Sequence, residues 1–164
     1  NGSFTEINAS TNNDIVTVQD VGINSRLVIN ADSGSDTLSL WASGDDSLVE
    51  VNGEANSDII NLGNSIFSLD SLAGSVFVNG NAHDTGSTIL NIRGESNILD
   101  SGDTLNINDY GDTSNNSYVL DADTLQRDGS GLITYATVET LNINTGSGND
   151  DIAILILRER CYAY

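Results

Sequence analysis

Leu27-Val28-Ile29-Asn30-Ala31-Asp32-Ser33-Gly34-Ser35-Asp36-Thr37-Leu38-Ser39-Leu40 is the stretch on which the fold turns. Two apolar-x-apolar triplets, Leu27-Val28-Ile29 and Leu38-Ser39-Leu40, flank a run of turn formers. Period-two alternation places every second side chain on one face, the mark of a half-buried strand. Both triplets recur. Asp14-Ile15-Val16-Thr17-Val18 and Asp58-Ile59-Ile60-Asn61-Leu62 repeat the second, so positions 14, 36 and 58 are spaced by 22. Val49-Glu50-Val51-Asn52-Gly53 and Val76-Phe77-Val78-Asn79-Gly80 repeat the first. The frame is apolar-x-apolar-Asn-small, four turn residues, then Asp-x-apolar-x-apolar. Leu141 to Ile154 aligns with Leu27 to Leu40 without a gap.

Self-similarity at a fixed step of this size means stacked repeats. Strands joined by turns, with no helical spacing anywhere, predict an all-β protein: a parallel β-solenoid (β-helix) with coils of roughly 22 residues. The alternative is an antiparallel β-sandwich with short hairpins. Stacking would place Asn30, Asn52, Asn79 and Asn144 at one corner as an amide ladder. The period is uneven after Ile60, which predicts insertions over 63–75 and 108–131, with Asp109–Asn116 a bulging loop. One solenoid domain spans 1–154, and 155–164 is an atypical tail or docking strand.

The chain has 164 residues, a formal charge of −19, five cationic side chains (all Arg), one Cys, one His and no Pro. Asn, Ser, Asp, Gly and Thr make up more than half of it, which excludes a helical bundle. The absence of Pro suits central strands, where Pro would remove a ladder donor. So few cations cannot neutralise a phosphate backbone, which argues against nucleic acid, and the same holds for an anionic membrane surface. No apolar run reaches transmembrane length. One Cys and one His exclude a disulfide scaffold and Cys- or His-rich metal sites. His83 sits in a polar, loop-like stretch and reads as solvated. The chain opens on Asn1 and carries no leader-like segment, so it reads as a piece of something longer.

Ser33-Gly34-Ser35-Asp36-Thr37-Leu38, Ser43-Gly44-Asp45-Asp46-Ser47-Leu48 and Gly146-Ser147-Gly148-Asn149-Asp150-Asp151-Ile152 resemble copies of the RTX nonapeptide, GGxGxDxUx. The closer likeness is to the Asp/Asn/Gly-rich β-strand repeats of large secreted bacterial surface proteins. That resemblance implies an extracellular or cell-surface β-solenoid, often calcium-loaded, and not an enzyme. In the nonapeptide the Asp at position six is the ligand, and Asp36, Asp46 and Asp150 occupy it here. Charge leads to the same cation separately. In-register coils would stack Asp14, Asp36 and Asp58 as like charges about 5 Å apart, which repel. A hard cation such as Ca²⁺, taking carboxylate and carbonyl oxygens, would relieve them. Asp32 adds a further carboxylate in the same turn. The expected metal residues are therefore Asp14, Asp32, Asp36, Asp46, Asp58 and Asp150. The plainer reading is a solvated acidic surface.

The C-terminus breaks the frame. Ile152-Ala153-Ile154-Leu155-Ile156-Leu157 is uninterrupted and apolar, followed by Arg158 to Tyr164. Ile154, Leu155, Ile156, Leu157 and Tyr162 are candidates for pairing with a second copy by strand addition. The functional expectation is a structural or adhesive module that assembles with itself, end to end, into fibres or a surface layer. The alternative is a carbohydrate-binding or polysaccharide-cleaving β-helix. For that, Arg93, Arg127 and the 108–131 loop are the place to look for a carboxylate pair with a cation.

Overall fold

The structure is a computed structural model that describes residues 2–63, 66, 68–81, 89–92 and 102–155. Within them the chain is almost entirely β, with one 3₁₀ turn at Leu69–Ser71. The strands are β1 (Phe4–Asn8), β2 (Ile15–Val18), β3 (Arg26–Asn30), β4 (Thr37–Leu40), β5 (Leu48–Asn52), β6 (Ile59–Gly63) and β7 (Ser75–Asn79). They continue as β8 (Ile89–Ile92), β9 (Thr104–Asn108), β10 (Ser117–Leu120), β11 (Thr124–Arg127), β12 (Ile133–Ala136), β13 (Thr140–Asn144) and β14 (Asp151–Ile154).

Two sheets form. One runs β1-β3-β5-β7-β12-β11-β10-β14, the other β2-β4-β6-β9-β13-β8. Over the first three layers the pairing is parallel and steps by 22: Leu27 pairs with Thr5 and Val49, and Leu38 with Val16 and Ile60. Strand pairing is parallel throughout the described residues except at β10–β11 and β11–β12. Alternate side chains of each strand meet between the sheets. Leu27, Ile29, Leu38, Leu40, Val49, Val51, Ile60 and Leu62 are all buried. Each such side chain contributes roughly 1.5–3 kcal/mol by leaving water. The core continues through Val76, Leu105, Leu120, Leu125, Ile133 and Ile143.

The later layers depart from the sequence reading in three ways. First, the insertion expected over 108–131 is a loop only over 109–116. It supplies β10 and β11, which with β12 form an antiparallel meander placed inside the sheet between β7 and β14. Second, β8 does not follow β6. It crosses to the far side of β13, and β9 takes the place beside β6. Third, Leu27 and Leu141, aligned in the sequence, sit in different sheets, on β3 and β13. The echo is real in sequence, but its two copies start in opposite sheets. His83 and Arg93 lie outside the described residues.

Candidate functional site

The corner that leads from the longer sheet to the shorter one carries the Asp of the repeat frame. Asp14, Asp36 and Asp58 stack there, and Asp103 and Glu139 continue the column. The Asp14 N–H donates to Asp36 Oδ1 (2.7 Å), Asp36 N–H to Asp58 Oδ1 (2.8 Å), Asp58 N–H to Asp103 Oδ1 (2.8 Å) and Asp103 N–H to Glu139 Oε2 (2.6 Å). A corner N–H leaves the strand ladder and needs another acceptor. One carboxylate per layer supplies it, which is why the position recurs.

The second oxygens differ along the column. Asp14 Oδ2 accepts the Ser10 N–H and hydroxyl, both at 2.8 Å. Asp36 Oδ2 and Asp58 Oδ2 are buried and have no hydrogen-bond partner among the described residues. Gly53 makes room at Asp58: a Cβ there would lie 2.7 Å from Asp58 Oδ2. Burial pushes the Asp58 carboxyl up to about 7; the Asp36 N–H pulls it down, and the charges of Asp103 and Asp36 push it up further.

Of the residues expected to ligate calcium, the structure gathers Asp14, Asp36 and Asp58 and leaves the others elsewhere. Asp32 is exposed at a left-handed corner position (φ 72°), with Glu54 (φ 71°) the equivalent residue one layer on. Asp46 is exposed in the turn before β5 (φ 56°). Asp150 lies between β13 and β14, where its Oδ1 accepts the Asn116 N–H (3.1 Å). Among the described residues no three His, Cys, Asp or Glu side chains are grouped to hold a metal ion. Each inner carboxylate of the column has one oxygen on an N–H, so Asp36 and Asp58 offer a single open oxygen apiece. A Ca²⁺ cage takes about six to eight oxygens.

The expected amide ladder splits in two. Asn52 Nδ2 donates to Asn30 Oδ1 (2.9 Å) and Asn30 Nδ2 to Asn8 Oδ1 (2.7 Å). Asn79 is in register with Asn52, and its Oδ1 accepts the Thr137 hydroxyl (2.7 Å). Asn144 belongs to the other sheet, where it donates to Asn108 Oδ1 (3.1 Å). It is not in the Asn30 column because β13 belongs to the shorter sheet and β3 to the longer. The sequence reading also missed a ladder. Asn142, Asn106 and Asn61 are linked at 2.7 and 2.9 Å on the outer side of the shorter sheet. The signal was present, since each of the three lies between two apolar residues of its strand. Of the assembly candidates, Ile154 and Leu155 are exposed at the β14 end, and Ile156, Leu157 and Tyr162 lie outside the described residues.

The opposite corner holds a buried cation. It joins β9 to β10 through 109–116, beside the 3₁₀ turn that leads into β7, with the Leu69 N–H donating to Asp109 Oδ1 (2.7 Å). In the long sheet, β12 and β11 separate β7 from β10, so the layers are splayed. The Arg127 side chain, 2% exposed, fills the gap. Its guanidinium pairs with Asp70 on one side and Asp112 on the other, and Nε lies 3.1 Å from Asp109 Oδ2, off the line of a hydrogen bond. The Tyr118 hydroxyl donates to Asp109 Oδ2 (2.6 Å). Burial raises the Asp109 carboxyl, and Tyr118, the Leu69 N–H and Arg127 only partly offset it. Burial also raises Asp112, but the Ser114 N–H (2.6 Å), Asn116 and Arg127 hold it below its ordinary range. Burial and the neighbouring Asp109 raise the Tyr118 phenol. Arg127 is thus the cation that a carboxylate-plus-arginine groove would need, but it is sealed inside a structural clasp. Arg26 instead lies outside, 3.1 Å from Glu50 and 5.7 Å from the Phe4 ring centre.

Comparison of the chain with protein-family models, curated proteins and solved structures finds no match. No helix among the described residues is long and apolar enough to cross a membrane.

Proposed function

We propose that the chain is a structural module: a parallel β-solenoid, displayed outside the cell, that stacks with copies of itself into a fibre or surface layer. The observation that supports it most is the in-register parallel pairing at a 22-residue step, which carries Asn and Asp into columns. A column of hydrogen-bonded side chains holds successive layers in register, as a stacked rod requires. The high negative charge suits a surface exposed to solvent. An enzymatic role gains no support from Arg127, whose guanidinium is occupied by Asp70 and Asp112.

Calcium belongs to the proposal as a stabiliser, because a cation is one answer to the open oxygens of Asp36 and Asp58. Two measurements test the reading. Electron microscopy at high protein concentration should show rods or filaments; monomers alone under all conditions would remove the assembly role. Melting curves with Ca²⁺ and with chelator should differ, because a ligand that binds only the folded state raises the midpoint. Coincident curves would remove the cation.

A further inference from the structure

The repeat frame ends a strand on Asn and follows it with a small residue. At two layers that residue is glycine, giving Asn52-Gly53 after β5 and Asn79-Gly80 after β7. The Asn of a third such pair, at 1–2, lies outside the described residues. Both glycines have a packing cause. A Cβ at Gly53 would lie 2.7 Å from Asp58 Oδ2, and one at Gly80 would collide with Asp103 Oδ2 and the Thr137 carbonyl. The amide ladder therefore selects Asn and the carboxylate column selects Gly, side by side. Asn-Gly is also the dipeptide most open to deamidation, because glycine has no side chain to shield its nitrogen and turns freely toward the Asn side chain.

The reaction has two steps. The Gly nitrogen gives up its proton and attacks Asn Cγ; a C–N bond forms and Nδ2 leaves as ammonia. Water then opens the five-membered imide. Cleavage at Cγ leaves Asp, and cleavage at the main-chain carbonyl leaves isoAsp, so one water enters for each ammonia lost. Both reacting groups are held in this fold. The Gly53 N–H donates to the Asn79 carbonyl (2.8 Å) and the Gly80 N–H to the Ala136 carbonyl (3.1 Å). Asn52 Nδ2 donates to Asn30 Oδ1, and Asn79 Oδ1 accepts the Thr137 hydroxyl. Gly53, Gly80 and Asn52 are buried.

We infer that Asn52 and Asn79 are latent modification sites that stacking keeps closed. Asn52 forms its imide only when β5 leaves β7, and Asn79 only when β7 leaves β12. Conversion then opposes closure. Asp at 52 sets a carboxylate against Asn30 Oδ1 where a donor stood, and isoAsp adds a methylene to the main chain and displaces the corner that follows. This needs the pairing of β5, β7 and β12 and not the assembly of copies, so it stands apart from the fibre reading.

The test incubates the full chain in warm, mildly alkaline buffer, folded in one arm and in guanidinium chloride in the other. Fragment mass mapping reads conversion at 52 and 79, and hydrogen exchange follows the Gly53 and Gly80 N–H in the folded arm. Both sites should convert in denaturant. In the folded chain conversion should be at least about tenfold slower and both N–H groups slow to exchange, because a group that reacts only when open reacts in proportion to the open population. Asn52→Asp, which builds in the product residue, should unfold at lower urea than the parent. Four results overturn the inference: equal conversion in both arms while the folded arm keeps its β spectrum, no conversion in denaturant, fast exchange at Gly53 and Gly80 with slow conversion, or an Asn52→Asp midpoint at or above that of the parent.

Discussion

Residues 4–79 and residues 104–154 build the same two sheets by different means. In the first region each layer repeats the last, the step is 22, and the N–H of the corner Asp meets the carboxylate of the Asp one layer on. In the second region the step becomes 45, then 36 and 34, and a meander opens the long sheet by two strands. Repetition lets short-range rules suffice: one Asp and one Asn per repeat complete the polar ladders. Where repetition fails, a single large cation has to hold the splayed corner together. The difference teaches that a stacked fold can tolerate an inserted hairpin if the gap it leaves is filled by a side chain long and polar enough to reach both banks.

The largest expected effect lies in the clasp. Arg127→Met leaves Asp109 and Asp112 buried without their cation. Removing one partner of a buried ion pair costs about 3–5 kcal/mol, so the urea midpoint should fall sharply. A midpoint within error of the parent would mean the clasp is not formed.

The regular region supplies the next contrast, through pH. The folded Asp58 pKa, about 7, lies above its ordinary value of 3.8. The fold therefore keeps a proton that the unfolded chain releases. This contribution is complete below about pH 4 and is lost as pH rises through 7. Asp58→Asn keeps an oxygen for the Asp36 N–H and has no proton to lose. Denaturation across pH 4–8 should show the variant gaining on the parent as pH rises. Parallel pH profiles would show that Asp58 is ionised throughout. Asp109 acts in the same direction and Asp112 in the opposite one, but both are common to parent and variant.

Smaller effects separate the two regions further. Tyr118→Phe removes the hydroxyl from Asp109 at 2.6 Å. A hydrogen bond to a charged group is worth about 1.5–3 kcal/mol, and calorimetry should find a loss in that range. Asn52→Ala breaks one rung of the amide ladder and should cost about 1 kcal/mol. If Asn52→Ala proved the more damaging of the two, the regular region, not the clasp, would be the weak point of the molecule.

Much of the first region was legible because its signals are local and repeated. Leu38 and Ile60 share a frame with the Asp before them, and both the register and the column follow from it. β1 escaped notice because Phe4-Thr5-Glu6-Ile7-Asn8 has a single apolar residue facing inward. In the second region the pattern itself misleads. On β11 the inward positions are Leu125 and Arg127, and a buried arginine breaks the apolar alternation by which strands are recognised. Its three carboxylate partners lie up to 57 residues away, beyond the reach of any local rule. β8 reads correctly as a strand, but strand character says nothing about which layer it joins. At the site, spacing revealed the column of Asp14, Asp36 and Asp58. The extension through Asp103 and Glu139 depended on steps the repeat does not set.

The central claim is that strands one repeat apart lie parallel and in register, so Ser39 and Asn61 are outward-facing neighbours on β4 and β6. Paired Cα atoms in such a ladder are close enough for a disulfide. In a chain carrying Cys161→Ser, the pair Ser39→Cys and Asn61→Cys should oxidise readily and quantitatively to an intramolecular bridge. Thiols that stay free under mild oxidant, in a chain that still shows a native β spectrum, would contradict the account.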